Sequence, residues 1–440
     1  MDAHVLSRRS RAAAKAALAG AICAASGLAL SLPASPAAAQ GTINFWIFDN
    51  PPMVTVTKQL AAQYEKLHPG TKVNLTVLPN ASYSQKYTVA LSTGTGPDGL
   101  LVSNGDIPVL ASSHEIAPVN YAAFGFKSQS ALVHAWMPGS LSGLTWGRDV
   151  YAIPMEFDTF SLFINTQDFR SIGLNPKTQY PRTWTQLEQD AQKLAVYKNG
   201  QLVREGFDWP YFTAGWEMLV WYPILRQFGG DILSANGKTS IVDSKAGADA
   251  VNLWVDMIKK YKAGSPSFAV STPTNPNQAF IENKQAMWIT GPWAVPTITP
   301  GTPAYGHYEV VPLPQVNPKK PVAVLYSWNW AVNAHAQNAA GAWSFINFLS
   351  QHEVEWLKTC GYIQPRLGWY NTTTAKDFPF LSVFRFDQAH GVYVAPSVYS
   401  AQITTAIGNA LQVSLEQGVP AKTALQQAAQ SIDRTLAQGG

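Results

Sequence analysis

Two acids separated by a single residue, Glu156 and Asp158, are the best candidates in this sequence for acid–base chemistry. A glycoside hydrolase needs two carboxyl groups about 5 to 9.5 Å apart, one of them a proton donor and the other a base or nucleophile. We expect these two side chains to project to opposite sides of a strand and not to form such a pair by themselves. A secreted carbohydrate-active enzyme that combines Asp158 with a distant second acid remains an alternative interpretation.

The usual sequence signatures of catalysis and metal binding are absent. The sequence contains no G-x-S-x-G, no G-x-x-x-x-G-K-[ST] and no H-E-x-x-H motif. Cys360 has no activating base close to it in sequence, and the eight His residues are scattered singly. We therefore predict that the protein is not an enzyme and that it has neither a metal site nor a cofactor.

Aromatic residues at turns are the other candidates for binding chemistry. Sugar rings present flat C–H faces that pack on indole or phenol rings, and their hydroxyls pair with Asp, Asn and Arg. Trp328 and Trp330 fall on one side of a predicted strand, and Trp293 follows a Gly-Pro turn. A packed role for Trp293 stays open, as does a structural hydrogen bond for Asp158. The helical spacing of other rings favours simple burial for Trp216, Trp221 and Trp254.

The elements that must position these side chains form an α/β pattern. The segment 41–48, GTINFWIF, alternates as a half-buried strand does, and it stops at Asp49 and Asn50 before two prolines. Apolar residues then recur at helical spacing up to Leu67, and a second alternating strand follows at 71–79. This order predicts a largely parallel sheet with ligand sites beyond the carboxyl ends of its strands, where Asp49 and Asn50 lie.

Further along the chain, helices alternate with short Pro- and Gly-rich joints. Thr183 and Gln186 form a capping box that opens one helix, and amphipathic helices are predicted over 246–264, 339–357 and 419–436. The 440 residues suit two domains, and no stretch resembles a flexible linker. We therefore expect two lobes that are joined by several short crossings.

The first 39 residues are predicted to be a secretory signal peptide. Arg8, Arg9, Arg11 and Lys15 precede an apolar run, and Ala37–Ala39 favours cleavage near Ala39. A retained membrane anchor is the alternative, and the sequence does not distinguish general from twin-arginine export. We expect an exported protein, periplasmic or at the cell surface, in which Cys360 is left without a cysteine partner.

Charge and composition narrow the class of ligand. The chain has 31 Lys and Arg against 27 Asp and Glu, and four of these bases with one acid lie in the predicted signal, so the remainder is nearly neutral. Without a basic face we expect no nucleic-acid partner. Charged residues make up 13% and aromatic residues 12% of the chain, which suits an uncharged, hydroxyl-rich ligand.

Five collinear segments resemble one family, the extracellular solute-binding proteins of ABC transporters, and specifically their maltose-binding-protein-like sugar class. The segment AFIENKQAMWITGPW resembles the family's strand and Trp-bearing turn, and the similarity extends over residues 41–440. The other segments are AQYEKLHPGTKVNL with SQKYTVALSTGTGPDGLLV, YAIPMEFDTFSLFINTQDFRSIGLNPKTQYPRTWTQL, DWPYFTAGW with FGGDIL, and AWSFINFLSQHEVEWL with GYIQPR.

The resemblance implies a two-lobed periplasmic-binding-protein fold of the class II kind, with a hinge of several crossings that closes over a sugar like a Venus flytrap. It places lobe 1 at 40–156 and 326–365, and lobe 2 at 157–325 and 366–440. Through it, Asp158 corresponds to a hinge carboxylate that binds sugar hydroxyls, and Tyr211 and Trp293 correspond to stacking rings. The remaining ligand contacts implied or suggested in this way are Asp49, Asn50, Asn104, Asp106, Trp328, Trp330 and Arg366.

Two departures from the family pattern bear on the choice of sugar. Val102 stands where the maltose binder has a first-lobe tryptophan, and the crossing that carries Trp328 and Trp330 is longer than its counterpart. We therefore expect a relocated stacking surface. The resemblance implies a monomeric receptor that delivers a sugar or oligosaccharide to a membrane permease, and a charged or phosphorylated polyol is the alternative ligand.

Overall fold

A computed structural model describes residues 41–211, 213–266, 278–369 and 372–438. The predicted signal peptide, residues 1–39, lies outside the described residues. The strands are β1 (Gly41–Phe48), β2 (Thr71–Leu78), β3 (Gly99–Ser103), β4 (Thr145–Trp146), β5 (Asp149–Val150), β6 (Ile153–Pro154), β7 (Ser161–Asn165), β8 (Val196–Lys198), β9 (Gln201–Phe207), β10 (Gln285–Thr290), β11 (Tyr308–Val311), β12 (Ala323–Val324), β13 (Trp328–Val332) and β14 (Gly391–Val392).

The helices fill most of the chain between these strands. They are α1 (Pro51–Leu67), α2 (Tyr83–Ser92), α3 (Ile107–Ser112), α4 (Gln129–Val133), α5 (Thr166–Ser171), α6 (Trp184–Leu194), α7 (Ala214–Gln227), α8 (Lys245–Lys259), α9 (Gln278–Ile281), α10 (Ala339–Leu349), α11 (Glu353–Cys360), α12 (Thr373–Asp377), α13 (Leu381–Ala389), α14 (Ser400–Glu416) and α15 (Ala421–Ala437). Short 3₁₀ helices at Asn104–Asp106, Ser142–Leu144 and Pro292–Thr297 lie at or near strand ends. In the described part of the chain, no helix has both the length and the apolar character needed to cross a bilayer.

The first sheet has the strand order β2-β1-β3-β13-β6. Ile43, Phe45 and Ile47 are buried at alternate positions of β1, which confirms the strand predicted from the alternation. β3 lies so close to β1 that a Cβ on Gly99 would approach the Phe45 ring to 2.6 Å, so glycine permits this pairing. We call the elements around this sheet the first lobe.

The second sheet has the order β11-β7-β10-β9-β8, and the elements around it are called the second lobe. The expectation of largely parallel sheets is wrong in part. In the first sheet β1 runs parallel to β2 and β3, but β13 is antiparallel to β3, and in the second sheet β7 is antiparallel to both its neighbours. β7 and β13 each come directly after a crossing between the lobes. The chain therefore enters each sheet from the hinge side and runs antiparallel to the neighbouring strands. The predicted residue boundaries of the lobes stay a prediction.

Local signals fix several helix ends. The Asn50 side chain accepts a hydrogen bond from Met53 N at the start of α1, and the predicted capping box of Thr183 and Gln186 is present at α6. The single helix expected over 339–357 is instead two helices, α10 and α11. At the break, the Leu349 carbonyl oxygen accepts from the Trp356 indole as well as from His352 N. The Ser350 carbonyl oxygen accepts from the Arg366 guanidinium.

Large aromatic side chains dominate the core of the second lobe. Trp221 and Trp254 are fully buried there, which confirms their expected packing role, and Trp254 stacks on Trp209 with the ring centroids 4.1 Å apart. Trp288 of β10 is buried as well, packed against Phe163. These rings stabilise the lobe and are not free for a ligand.

Gly206 of β9 is a sensitive point in this core, because a Cβ there would lie 1.8 Å from the Ala191 carbonyl oxygen of α6. We expect Gly206→Ala to lower the free energy of unfolding by about 3 kcal/mol, since backbone would have to move. Urea denaturation followed by circular dichroism measures this. Gly215→Ala is the control: its nearest neighbour is 3.7 Å away, and a helical alanine should leave stability equal or higher by up to about 1 kcal/mol. Equal stability of the two variants would contradict this account of the packing.

Candidate functional site

Three chain segments cross side by side between the two lobes, at 155–160, 325–327 and 361–366, and together they are called the hinge. Backbone hydrogen bonds hold them together. Asp158 N donates to Tyr326 O (2.9 Å), Tyr326 N donates to Asp158 O (3.0 Å), and Phe157 N donates to Ile363 O (2.8 Å). Because each crossing is bonded to another, the lobes are tied at one line and can rotate about it.

A pair of carboxyl groups lies inside the hinge. Glu156 is 2% exposed and Asp158 is 0% exposed. The two side chains hydrogen-bond to each other, and Asp158 Oδ1 also accepts from Ile363 N (3.4 Å). The expectation that these side chains project to opposite sides is wrong, because alternate residues of an extended segment project to the same side.

Burial raises the pKa of both hinge acids. The pKa of Glu156 rises to about 8, and the nearby Glu156 carboxyl raises the pKa of Asp158 further. The titratable groups that act on the pair in the described chain are all neutral at pH 7: Tyr326, Tyr362, Tyr393 and Cys360. With no cation to compensate two charges, both carboxyls stay largely protonated near neutral pH.

Aromatic rings surround the hinge on the side of the second lobe. The Trp293 ring centroid lies 5.7 Å from that of Trp216, 5.9 Å from Phe160 and 6.0 Å from Tyr326, mostly edge to face. Trp216, Trp293 and Tyr326 are each half-buried, whereas Phe160 is buried. We call these four rings the aromatic cluster. Trp216, which we expected to be simply buried, therefore keeps part of its surface exposed.

The turn before Trp293 sets the direction of its ring. A Cβ on Gly291 would lie 2.0 Å from the indole, so the ring folds back over this glycine. Pro292 opens the 3₁₀ helix that carries Trp293. As a result the indole packs against the cores of both lobes and against a third group of buried residues that includes Trp288. Part of the ring remains exposed.

A small cavity of about 70 Å³ lies between the two lobes. Asn104, Gly105 and Gly143 line it from the first lobe; Met218, Val394, Ala395, Pro396, Ser400, Ile403 and Thr404 line it from the second. Of the residues predicted from the sequence, Asn104 is in this lining. The contribution of 394–404 was missed, because Val394, Ala395 and Pro396 carry no polar side chain that would point to a ligand site.

The predicted polar contacts of the first lobe already take part in hydrogen bonds within the protein. Asn104 Oδ1 accepts from Ser327 N of the hinge (3.1 Å), and Asp106 accepts from the Tyr87 hydroxyl. Asp49, which is exposed, accepts from Asn80 N, and Asn50 caps α1. Asp49, Asn50 and Asp106 are not in the cavity lining, so their contact with a ligand stays a prediction.

The other predicted contacts are distributed between the surface of the lobes and their cores. Trp328 is half-buried, 4.7 Å from Phe48 between ring centroids, whereas Trp330 is 1% exposed and packs against Trp356 in the first core. The Tyr211 hydroxyl donates to Asp208 Oδ1 (2.8 Å).

Arg366 ties the third crossing to the first lobe. Its guanidinium donates to Ser350 O (3.2 Å) and lies over the Trp136 ring at 5.7 Å. Val102, at the position of the missing tryptophan, is buried in β3. The structure therefore places both Trp293 and Asp158 next to Tyr326 of the hinge, and leaves Trp330 and Arg366 in packing roles.

The sequence matches the model of one protein family. Residues 50–356 match the family described as bacterial extracellular solute-binding protein. An ABC transporter-binding protein of Deinococcus radiodurans is 26% identical over 232 residues, which are 50% of this chain and 52% of that protein. A lactose-binding protein of Rhizobium radiobacter is 25% identical over 159 residues, 36% of each chain. The alignments thus span about half or less of these relatives.

A solved structure shows the same fold. It is an ABC transporter solute-binding protein from Thermotoga lettingae bound to α-D-tagatose, with a TM-score of 0.78 and 23% sequence identity. The superposition covers 90% of this chain and 100% of that chain. At this identity the similarity establishes the two-lobed fold.

The hinge acids predict a pH dependence of stability. Because the folded protein holds their protons more tightly than the unfolded chain does, their contribution to stability is complete below about pH 4.5 and is lost as the pH rises through about 8. Between pH 5 and 8 the free energy of unfolding of the wild type should fall as the pH rises. We expect the slope of this fall to be smaller in Glu156→Gln than in the wild type by about 1 kcal/mol per pH unit. Urea titrations at several pH values measure this, with exposed Asp377→Asn as the control. Parallel curves for wild type and Glu156→Gln would contradict a proton held by the pair.

Proposed function

Because the chain belongs to the family of bacterial extracellular solute-binding proteins, we propose that it captures a sugar or oligosaccharide between its two lobes. It then presents this ligand to the membrane permease of an ABC importer. It acts outside the cytoplasm as a monomer after removal of the predicted signal peptide. The related proteins named for lactose and bound to tagatose support a carbohydrate as ligand.

The observation that carries this proposal is the composition of the cavity. The described residues that line it are all uncharged, and they come from both lobes. Asn104, Ser400 and Thr404 offer amide and hydroxyl groups, while Met218 and Ile403 offer apolar surface. A ligand with many hydroxyls and flat C–H faces suits this mixture, whereas a phosphate or a polyamine would lack a charged partner.

Ligand capture by this site needs no chemical step. A ligand that touches Asn104 of the first lobe and Thr404 of the second gains both sets of contacts only when the lobes are closed. Binding therefore shifts the protein toward the closed state, which a permease can recognise. The second candidate, a carbohydrate-active enzyme, would need acids that reach a substrate. Glu156 and Asp158 are instead buried inside the hinge and bonded to each other.

A thermal-shift screen against mono- and oligosaccharides, including tagatose and lactose, tests the proposal. At a concentration 100 times its Kd, a true ligand adds about 2.7 kcal/mol to the free energy of unfolding and raises the melting temperature by several degrees. Phosphorylated polyols and polyamines are screened in parallel. A shift with a charged solute and with no sugar would refute a carbohydrate ligand.

We predict that Trp293 contributes a stacking surface for the ligand. Trp293→Ala should weaken binding of a sugar found in the screen by at least about tenfold, because a ring face at the hinge is lost. Isothermal titration calorimetry measures this, and circular dichroism checks that the variant is folded. Trp46→Ala is the matched control, since Trp46 is also half-buried but packs on the first lobe alone. Unchanged affinity with lower stability in Trp293→Ala would show that the ring is only packed.

A further inference from the structure

One tyrosine of the second lobe reaches across to the first. Tyr393 follows β14, whose pairing with β12 and whose neighbours Val392 and Val394 anchor it on the second core. Its hydroxyl donates to Ser140 O of the first lobe (3.2 Å) and lies 3.4 Å from Ser327 Oγ of the hinge. Burial raises the pKa of this hydroxyl above its usual value, so it stays a donor throughout the physiological range.

The Tyr393 ring also explains why residue 143, in the first lobe, is a glycine. A Cβ on Gly143 would lie 2.9 Å from two carbons of the ring. Gly143 is not among the residues with a positive φ, so its backbone conformation does not call for glycine. Its neighbour Leu144 is buried in the first core and holds the segment in place. The absence of a side chain at Gly143 is therefore accounted for by the ring that arrives from the second lobe.

We propose that Tyr393, Gly143 and Ser140 form an interlobe latch that stabilises the closed state independently of the ligand and thereby sets the affinity. This inference rests on the proposed capture of a ligand by lobe closure. Tyr393 is a positioning residue, because the cavity is lined by the adjacent Val394 and not by Tyr393 itself.

The latch acts through the fraction of molecules that are closed before binding. Apparent affinity is the intrinsic affinity of the closed form multiplied by that fraction. Ser140 and Gly143 belong to one lobe and Tyr393 to the other, so opening separates the ring from the glycine and breaks the Ser140 hydrogen bond. Loss of the Tyr393 hydroxyl lowers the closed fraction without changing the cavity lining.

Two variants test the latch, one in each lobe. We expect Tyr393→Phe, which loses the hydroxyl, to weaken sugar binding about fivefold, and Gly143→Ala, which displaces the ring, to weaken it at least about tenfold. Gly215→Ala is the matched control. It adds the same methyl outside the cavity lining, where the nearest atom is Thr404 Cγ2 at 3.7 Å, and it should leave affinity within about twofold of the wild type.

The decisive measurement uses the ligand-free protein. Spin labels at exposed Lys66→Cys and Lys259→Cys, one in each lobe, report the interlobe distance by pulsed electron resonance. We expect Gly143→Ala to move the distribution toward longer distances, and to have no further effect when Tyr393→Ala has removed the ring. Wild-type distances in Gly143→Ala, or an equal effect of Gly143→Ala with and without the Tyr393 ring, would overturn the latch.

The two proposals fail in different ways. If no sugar binds but the distance distribution responds to Gly143→Ala, the latch stands and the sugar ligand is wrong. If a sugar binds equally well to wild type, Tyr393→Phe and Gly143→Ala, the sugar ligand stands and the latch is wrong.

Discussion

The backbone pairing at Asp158 is the constraint on which the rest of the structure depends. Each sheet contains strands from distant parts of the chain, so the chain must pass between the lobes more than once. Asp158 pairs with Tyr326, and Phe157 with Ile363, so the three crossings satisfy one another's peptide groups. Buried peptide groups without partners would be costly, and this network therefore restricts the lobes to motions that keep the crossings together.

The same constraint explains why two acids are tolerated in an apolar setting. Glu156 and Asp158 are side by side because the crossing is extended, and they face tyrosine hydroxyls and a thiol instead of a cation. Two buried negative charges at this distance would be strongly unfavourable. By keeping their protons the two acids avoid this repulsion and can hydrogen-bond to each other, at the expense of stability at alkaline pH.

Sequence patterns predicted the features that depend on nearby residues. The strand at 41–48, the cap at Asn50 and the capping box at Thr183 all arise from short-range spacing, and each is present. At the break between α10 and α11, in contrast, the Ser350 carbonyl bonds Arg366, which is not close in sequence, and the antiparallel strand β13 follows a crossing of the hinge. The cavity wall at 394–404 was missed because small residues such as Ala395 carry no chemical signature until the fold brings two lobes together.

The four predicted polar contacts of the first lobe are instructive because each already accepts a hydrogen bond from the protein. Asn104 receives one from Ser327, and Asp106 receives one from Tyr87. Amide and carboxylate oxygens have further lone pairs, so these bonds fix the orientation of the side chain without exhausting it as an acceptor. A site whose polar groups are held in place before the ligand arrives loses less side-chain entropy on binding. Under the proposed function, such preorganisation would contribute to affinity in a cavity whose described lining is uncharged, together with the predicted stacking on the partly exposed ring of Trp293.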